Sequence, residues 1–488
     1  MFPFTPDGNP VDRAPNLGFA VDPNLRTPYS IHLTASFQRQ LPRGVVLDVA
    51  YVGTLGRRLL GKADFAQYLN LRDPQSKVDL FTAYRQVAAL AGATPTTVNG
   101  PAIDPTNFAQ LATIKTIPFF SNLLPNMPAF TAAFLGNPQY ATLTPTQAFY
   151  AFTATTSGAG FGAASWSCSL FALDTTEAAF GLPTPWNSTV DPGGDGFVLF
   201  QRQFSQLDAW TNWANSNYHS VQVTVKKTAG IGTFAFNYVF SKSIDNDSTG
   251  ENGDLIPGLN GTAEGLIQNP FDLRLNRGLS DFNLKHNFNG SAVIDLPFGH
   301  GHRFGSGGGR LKEALVGGWE ITSAVRWHSG FPLTPANGFN FPTNFFLTSG
   351  STLIAPLKTS LTRSVSAANV PLGQSPGVPN IFSNPNAALN DLTFTLPGLP
   401  GSRNSLIGPA FGTLDMGFHK SFKLWSERSS LQFRATMFNV FNNVNFADTF
   451  VSLDPTSPAT FGQVTETANA ASGQAFGRQM EFAIRLEF

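Results

Sequence analysis

Apolar and polar residues alternate along this chain with a period of two, most strictly at its end. Met480, Phe482, Ile484, Leu486 and Phe488 fall on one side of the alternation, and Glu481, Ala483, Arg485 and Glu487 on the other. Successive side chains of a strand point to opposite faces, so this run is a ribbon with one apolar and one charged face. The pattern recurs upstream. Around 411–424, Leu414, Met416, Phe418, Phe422 and Leu424 oppose Asp415, His419, Ser421 and Lys423. Around 429–441, Leu431, Phe433, Ala435 and Met437 oppose Gln432, Arg434 and Thr436. In 317–331, Trp319, Ile321, Val325 and Trp327 oppose Glu320, Thr322, Arg326 and His328. In 284–298, Phe288, Ala292, Ile294, Leu296 and Phe298 oppose Lys285, Asn287, Asn289 and Asp295. Strands are also predicted at 29–39, 44–55, 218–228 and 231–242, where Phe37, Val49, Val223 and Phe236 belong to the apolar sets. With 477–488 these make nine.

At 11–15 residues, they exceed the roughly 5–6 usual in soluble sheets and are long enough for the roughly 9–11 needed to cross a bilayer at a tilt. The connections alternate as well. Those at 40–44, 229–230 and 425–428 are short and the one at 299–316 is medium, whereas 56–217, 243–283, 332–410 and 442–476 are long. Short turns at one end and long loops at the other are the periplasmic and extracellular sides of an outer-membrane barrel. The expected fold is therefore all-β: a transmembrane antiparallel β-barrel segment of about nine meander strands under long extracellular loops. Segments 130–134 and 339–346 are too aromatic for solvated disorder and are expected to pack above the barrel. Whether 56–217 holds further strands stays open.

Composition fits this picture. Charged residues are 13% of the chain, against about 25% in soluble domains. Phe is as frequent as Gly, 46 of each, yet mean hydropathy is only −0.05, as alternation of greasy and polar positions allows. A net charge of zero and the lack of any basic run leave no electrostatic footprint for nucleic acid. A single cysteine, Cys168, excludes an internal disulfide framework and a Cys-based zinc site. No run of 18 apolar residues marks a membrane helix. No export signal follows Met1, so residue 1 is read as other than the natural start of the exported polypeptide.

Candidate lumen-facing residues are Arg326, Arg434, Glu481 and Arg485, on the polar side of their strands. Terminal Phe488 is the candidate signal for the barrel-assembly machinery; outer-membrane lipid is the other expected partner. Asp245-Asn246-Asp247-Ser248-Thr249-Gly250 resembles the start of a calcium loop, but Ile256 stands where its bidentate Glu belongs. A solvated loop is expected there. His300 and His302 belong to a polar turn, and 305–309 to a flexible one without the Lys-Ser/Thr of a phosphate loop. His-Glu-x-x-His does not occur, and neither enzyme activity nor a cofactor or metal is expected.

Three blocks resemble the barrel region of Oar-like TonB-dependent transporters. One is Asn269-Pro270-Phe271-Asp272-Leu273-Arg274, followed by Arg277, Ser280-Asp281-Phe282 and Lys285-His286-Asn287-Phe288. Another is Arg403-Asn404-Ser405-Leu406-Ile407-Gly408-Pro409, leading into Leu414-Asp415. The last runs from Gln432 through Asn442 to Asn445-Phe446; Asn24-Leu25-Arg26-Thr27-Pro28-Tyr29 and Val49-Ala50-Tyr51-Val52-Gly53 match as well. The resemblance implies a 22-strand barrel filled by an N-terminal plug, often behind a carboxypeptidase-regulatory-like sandwich. It implies uptake driven through TonB by way of a plug this chain lacks, with nine strands forming the last part of an incomplete barrel. Two other readings stand beside it: a passive porin or surface adhesin, and a secreted, soluble β-rich binding module.

Overall fold

The period-two segments form one antiparallel sheet. The computed structural model describes residues 17–65, 69–91, 103–156, 170, 173, 181–192, 198–199, 206–228, 232–248, 269–298, 304, 316–335, 351–393, 398–399, 401–424, 429–447, 451–455, 457–468 and 477–488. Expectations for Cys168, Thr249, Gly250, Ile256, His300, His302, 229–230, 305–309, 339–346 and 425–428 lie outside the described residues. The long strands are β1 (Tyr29–Leu41), β2 (Val45–Asp64), β3 (Gln206–Thr228), β4 (Gly232–Asp245), β5 (His286–Asp295), β6 (Trp319–His328), β7 (Phe411–Lys423), β8 (Ser430–Phe438) and β9 (Gln479–Glu487). Each pairs antiparallel with its neighbours in sequence, without a crossover. Two short pieces bring the sheet to 11 strands: Leu17–Val21, parallel to the start of β3, and Gly278–Leu279, antiparallel to the end of β4. The parallel piece departs from the expected meander. The sheet is open, with β1 and β9 at its two edges.

Register fixes the faces. Residues directly opposite in an antiparallel pair share a face. Ala483 pairs with Arg434, Arg434 with His419, His419 with Glu320 and Glu320 with Asp295, a polar row across five strands. The intervening row runs Phe482, Ala435, Phe418, Ile321, Ile294, Gly232. The apolar face is bare: Ile484 is 73% exposed, Phe482 68% and Phe37 60%. Both large clusters of buried apolar side chains lie elsewhere, in the long connections. A water-soluble sheet would cover such a face, whereas a membrane strand turns it to lipid. The soluble-module reading is thereby disfavoured.

In β7 a charged residue breaks the alternation. Lys420 stands in register with Trp319 and Phe433, among apolar neighbours. Its side chain is buried, with Nζ 5.3 Å from the Trp319 ring centre and 5.0 Å from that of Phe422, and it donates to the Gly317 carbonyl. Two aromatic faces and a carbonyl replace the water that an ammonium group would lose.

The expected long loop 56–217 needs correction. β2 and β3 stay paired as far as Asp64 and Asp208, through irregularities around Gly56, Leu59 and Gly61. The alternation fades before the pairing does, because a ribbon standing clear of lipid needs no apolar face. Between its two strands lies a helical unit rather than irregular loop. It comprises α1 (Leu80–Leu90), α2 (Phe108–Leu111), α3 (Pro118–Leu123), α4 (Met127–Leu135) and α5 (Pro145–Thr156). Asp79 caps α1 by accepting from the Thr82 N–H, and Thr144 with Gln147 forms a reciprocal capping box at α5. Leu80, Phe81, Ala83, Tyr84, Val87 and Ala88 make the buried stripe of α1 at helical spacing. They meet Phe119, Phe120, Phe130, Phe149 and Phe152 in a core of their own, with Phe120 and Phe149 ring centres 4.4 Å apart. Within 130–134, Phe130 and Phe134 stack at 6.0 Å.

Loops 332–410 and 442–476 share the second core, in which Phe382 stacks on Phe461 at 5.4 Å and Ile381, Leu389, Leu392, Leu406 and Val464 close around them. The long connections thus pack on one another.

Candidate functional site

Strands β5 to β9 carry charges of both signs to one region of the polar face. Asp295, Glu320, His419 and Arg434 follow each other across the strands, and Arg485 stands opposite Gln432. Together they line a hollow of about 460 Å³. His419 Nδ1 lies 3.6 Å from Glu320 Oε1, an ion pair only while the imidazole is protonated. Arg485 Nε lies 3.2 Å from Glu487 Oε1, and Glu487 also accepts from Ser430 Oγ and Gln432 Nε2 at 3.2 Å. These groups are partly solvated and tied laterally to one another. The arrangement suits a polar surface or solute bearing both charges.

Of the four residues singled out from the sequence, Arg434 and Arg485 come together here. Arg326 shares their face but lies towards the other end of its strand, opposite Asn289 and Thr413. Glu481 also shares it, opposite Thr436 and nearer the long-loop end of β9. Phe488 follows β9 and is 95% exposed.

A second polar cluster ties the long loops together. Arg403 Nη2 donates to Asp245 Oδ1 at 2.8 Å and to Ser248 Oγ at 2.6 Å, and reaches Asp281 Oδ1 at 3.4 Å. Its Nη1 donates to the carbonyls of Asn276 and Asp245 at 3.0 and 3.2 Å. Asn404, held at φ 51°, donates to the Leu279 carbonyl and exchanges hydrogen bonds with Thr334. The Asn276 side chain clasps the Asn269 backbone, Oδ1 accepting from its N–H and Nδ2 donating to its carbonyl, both at 2.8 Å, and Asn269 Nδ2 donates to the Gly398 carbonyl at 2.6 Å.

Over 245–248, the described part of the solvated loop expected at 245–250, this junction corrects the expectation. Asp245, Asn246 and Asp247 are buried, and the carboxylates are engaged. Asp245 is held by Arg403 and Ser248, while Asp247 Oδ2 accepts from the Lys62 N–H. Spacing of the acidic residues was visible in the sequence; the cation 158 residues away that answers them was not. Among the described residues no three side chains gather that could hold a metal ion.

The sequence profile of the family described as an outer membrane beta barrel domain matches residues 2–481 of the chain. No curated protein matches it in sequence.

Proposed function

The chain belongs to the outer membrane beta barrel domain family, and we propose that within it this is the barrel portion of an Oar-like TonB-dependent transporter of a Gram-negative bacterium. The supporting observation is the loop junction. Blocks that resemble that transporter group, around Asn269, Asp281 and Arg403-Asn404, lie far apart in sequence yet interlock in one buried network. In this reading the network fixes the outer mouth that receives substrate. The polar face lines the lumen, and its mixed-charge hollow would meet a plug through which TonB acts. Phe488 serves assembly, and the chain performs no catalysis.

The test is energy dependence of uptake. In cells producing the complete protein, uptake of its substrate should stop when the proton gradient is collapsed or TonB is removed. Uptake indifferent to both would replace this reading with the passive porin.

A further inference from the structure

Charge is distributed unequally between the two faces of the sheet. At the polar positions of β1 to β9 stand Asp48, Asp245, Asp295, Glu320, Asp415, Glu481 and Glu487 alongside Lys226, Arg326, Lys423, Arg434 and Arg485. The opposite, lipid-side positions, from the short turns up to Arg57, contain no Asp or Glu. They contain Arg39, Arg57, Lys227, Lys242 and Lys420, all cations. Three of these lie towards the short-turn ends of their strands. Arg57 and Lys242 lie at the long-loop end, where Arg58 joins them.

Here the cations are arranged with aromatic and amide partners. Arg57 stands opposite Tyr29, and its Nη1 donates to Asn217 Oδ1 at 2.9 Å and to the Ser216 carbonyl at 3.0 Å, leaving Nε and Nη2 for another acceptor. The Arg58 guanidinium carbon sits 5.7 Å from the Tyr29 ring centre. Lys242 is exposed and directly opposite His219, whose Nδ1 is 2.7 Å from the Tyr51 hydroxyl. Among the described residues, no carboxylate pairs with Arg57, Arg58 or Lys242.

Cations left without counter-charges at a lipid boundary call for an anion supplied by the lipid. We propose that Arg57, Arg58 and Lys242, with Tyr29 and His219, bind the phosphate groups of the phosphorylated glycolipid in the outer leaflet. Guanidinium groups match phosphate oxygens with paired N–H donors, and the ammonium adds a point charge. Rings at the same level suit the boundary between acyl chains and headgroups. This site rests on membership of the outer-membrane family and not on what crosses the barrel.

The test uses the complete protein extracted from the outer membrane in a nonionic detergent. Binding of diphosphorylated lipid A, dephosphorylated lipid A, phosphatidylglycerol and inorganic phosphate is compared by fluorescence titration. Diphosphorylated lipid A should bind about tenfold more tightly than the dephosphorylated form, and phosphatidylglycerol and free phosphate more weakly than either. The combined Arg57→Gln, Arg58→Gln and Lys242→Gln variant should lose the preference, while Lys226→Gln, on the polar face, keeps it. Should the triple variant fail to assemble, Lys242→Gln alone should reduce the preference, and in the unaltered protein it should fall as salt is raised. Equal binding of both forms of lipid A would overturn the proposal. So would a preference that survives the substitutions or high salt, or phosphatidylglycerol binding as tightly as lipid A.

Discussion

Arg403 and Asp245 lie 2.8 Å apart with their side chains 8% and 2% exposed, joining the segment before β7 to the end of β4. A buried ion pair is a weak source of net stability, but removing one partner strands the other, at a cost of about 3–5 kcal/mol. Arg403→Ala should therefore loosen loops 243–283 and 332–410 and leave the sheet intact. Limited proteolysis of cells bearing the variant should show new cleavage in those loops, with heat-modifiable gel mobility unchanged. Arg403→Lys should not rescue it, because one ammonium cannot reproduce the donors that reach Asp245, Ser248 and the Asn276 carbonyl. An unchanged cleavage pattern would remove the junction from the account.

The face assignment makes a second prediction. Phe433 and Ile484 are register partners on the apolar face, and Arg434 is next to Phe433 on the other. Phe433→Arg or Ile484→Arg places a charge against lipid and should cost about 2–4 kcal/mol at mid-membrane. Arg434→Gln should assemble normally. Equal loss of heat-modifiable folded protein in all three would contradict the assignment.

The helical unit supplies a third. Phe149 is fully buried, with its ring centre 4.4 Å from that of Phe120 and 5.2 Å from that of Tyr84. Phe149→Ala should cost the unit about 3–5 kcal/mol and leave barrel assembly intact. Acid should act on it through Asp73. Burial pushes that carboxyl up, but hydrogen bonds from Ser76, Gln75 and Asn122 outweigh it and hold it at about 2. A carboxyl with a lowered folded-state value stabilises above its unfolded value near 4 and loses that contribution as pH falls towards 2. Hydrogen exchange at 69–91 should rise over that window in the unaltered protein. In Asp73→Asn the rise should be smaller; an identical rise would remove Asp73 from the acid response.

The sheet was legible because lipid enforces its pattern. Ile484, Phe418 and Phe288 had to alternate with Arg485, His419 and Asn289, and a slip of one residue would exchange the faces. Away from lipid that constraint lapses. Nothing in Gly61-Lys62-Ala63 announces a strand, and its pairing with Thr211, Trp210 and Ala209 emerges only in three dimensions. The helices did carry signals, in the Asp79 cap, the Thr144–Gln147 box and the spacing of Tyr84, Val87 and Ala88, but these were hidden within a segment read as loop. Arg434 and Arg485 could be placed on one face from alternation, whereas their meeting across two strands depends on register. The Arg403 junction was legible only as blocks of resemblance, since its partners are more than 120 residues distant.

The edges of the sheet carry the last prediction. Among the described residues β1 and β9 do not pair with each other, and each presents one row of backbone N–H and C=O groups without a strand partner there. In a bilayer no water reaches those groups, and each left unsatisfied costs several kcal/mol, so a spanning sheet must close. In the transporter reading, further strands between Tyr29–Leu41 and Gln479–Glu487 supply the closure. The 488-residue chain, exported alone and purified, should accordingly give no discrete conductance steps in planar bilayers. In the closed barrel, cysteines placed at Ser36 and Ala483 should cross-link to those added strands and not to each other. Conductance steps from the chain alone, or a direct cross-link between these two positions, would show that β1 and β9 close on one another. The passive pore would then displace the transporter.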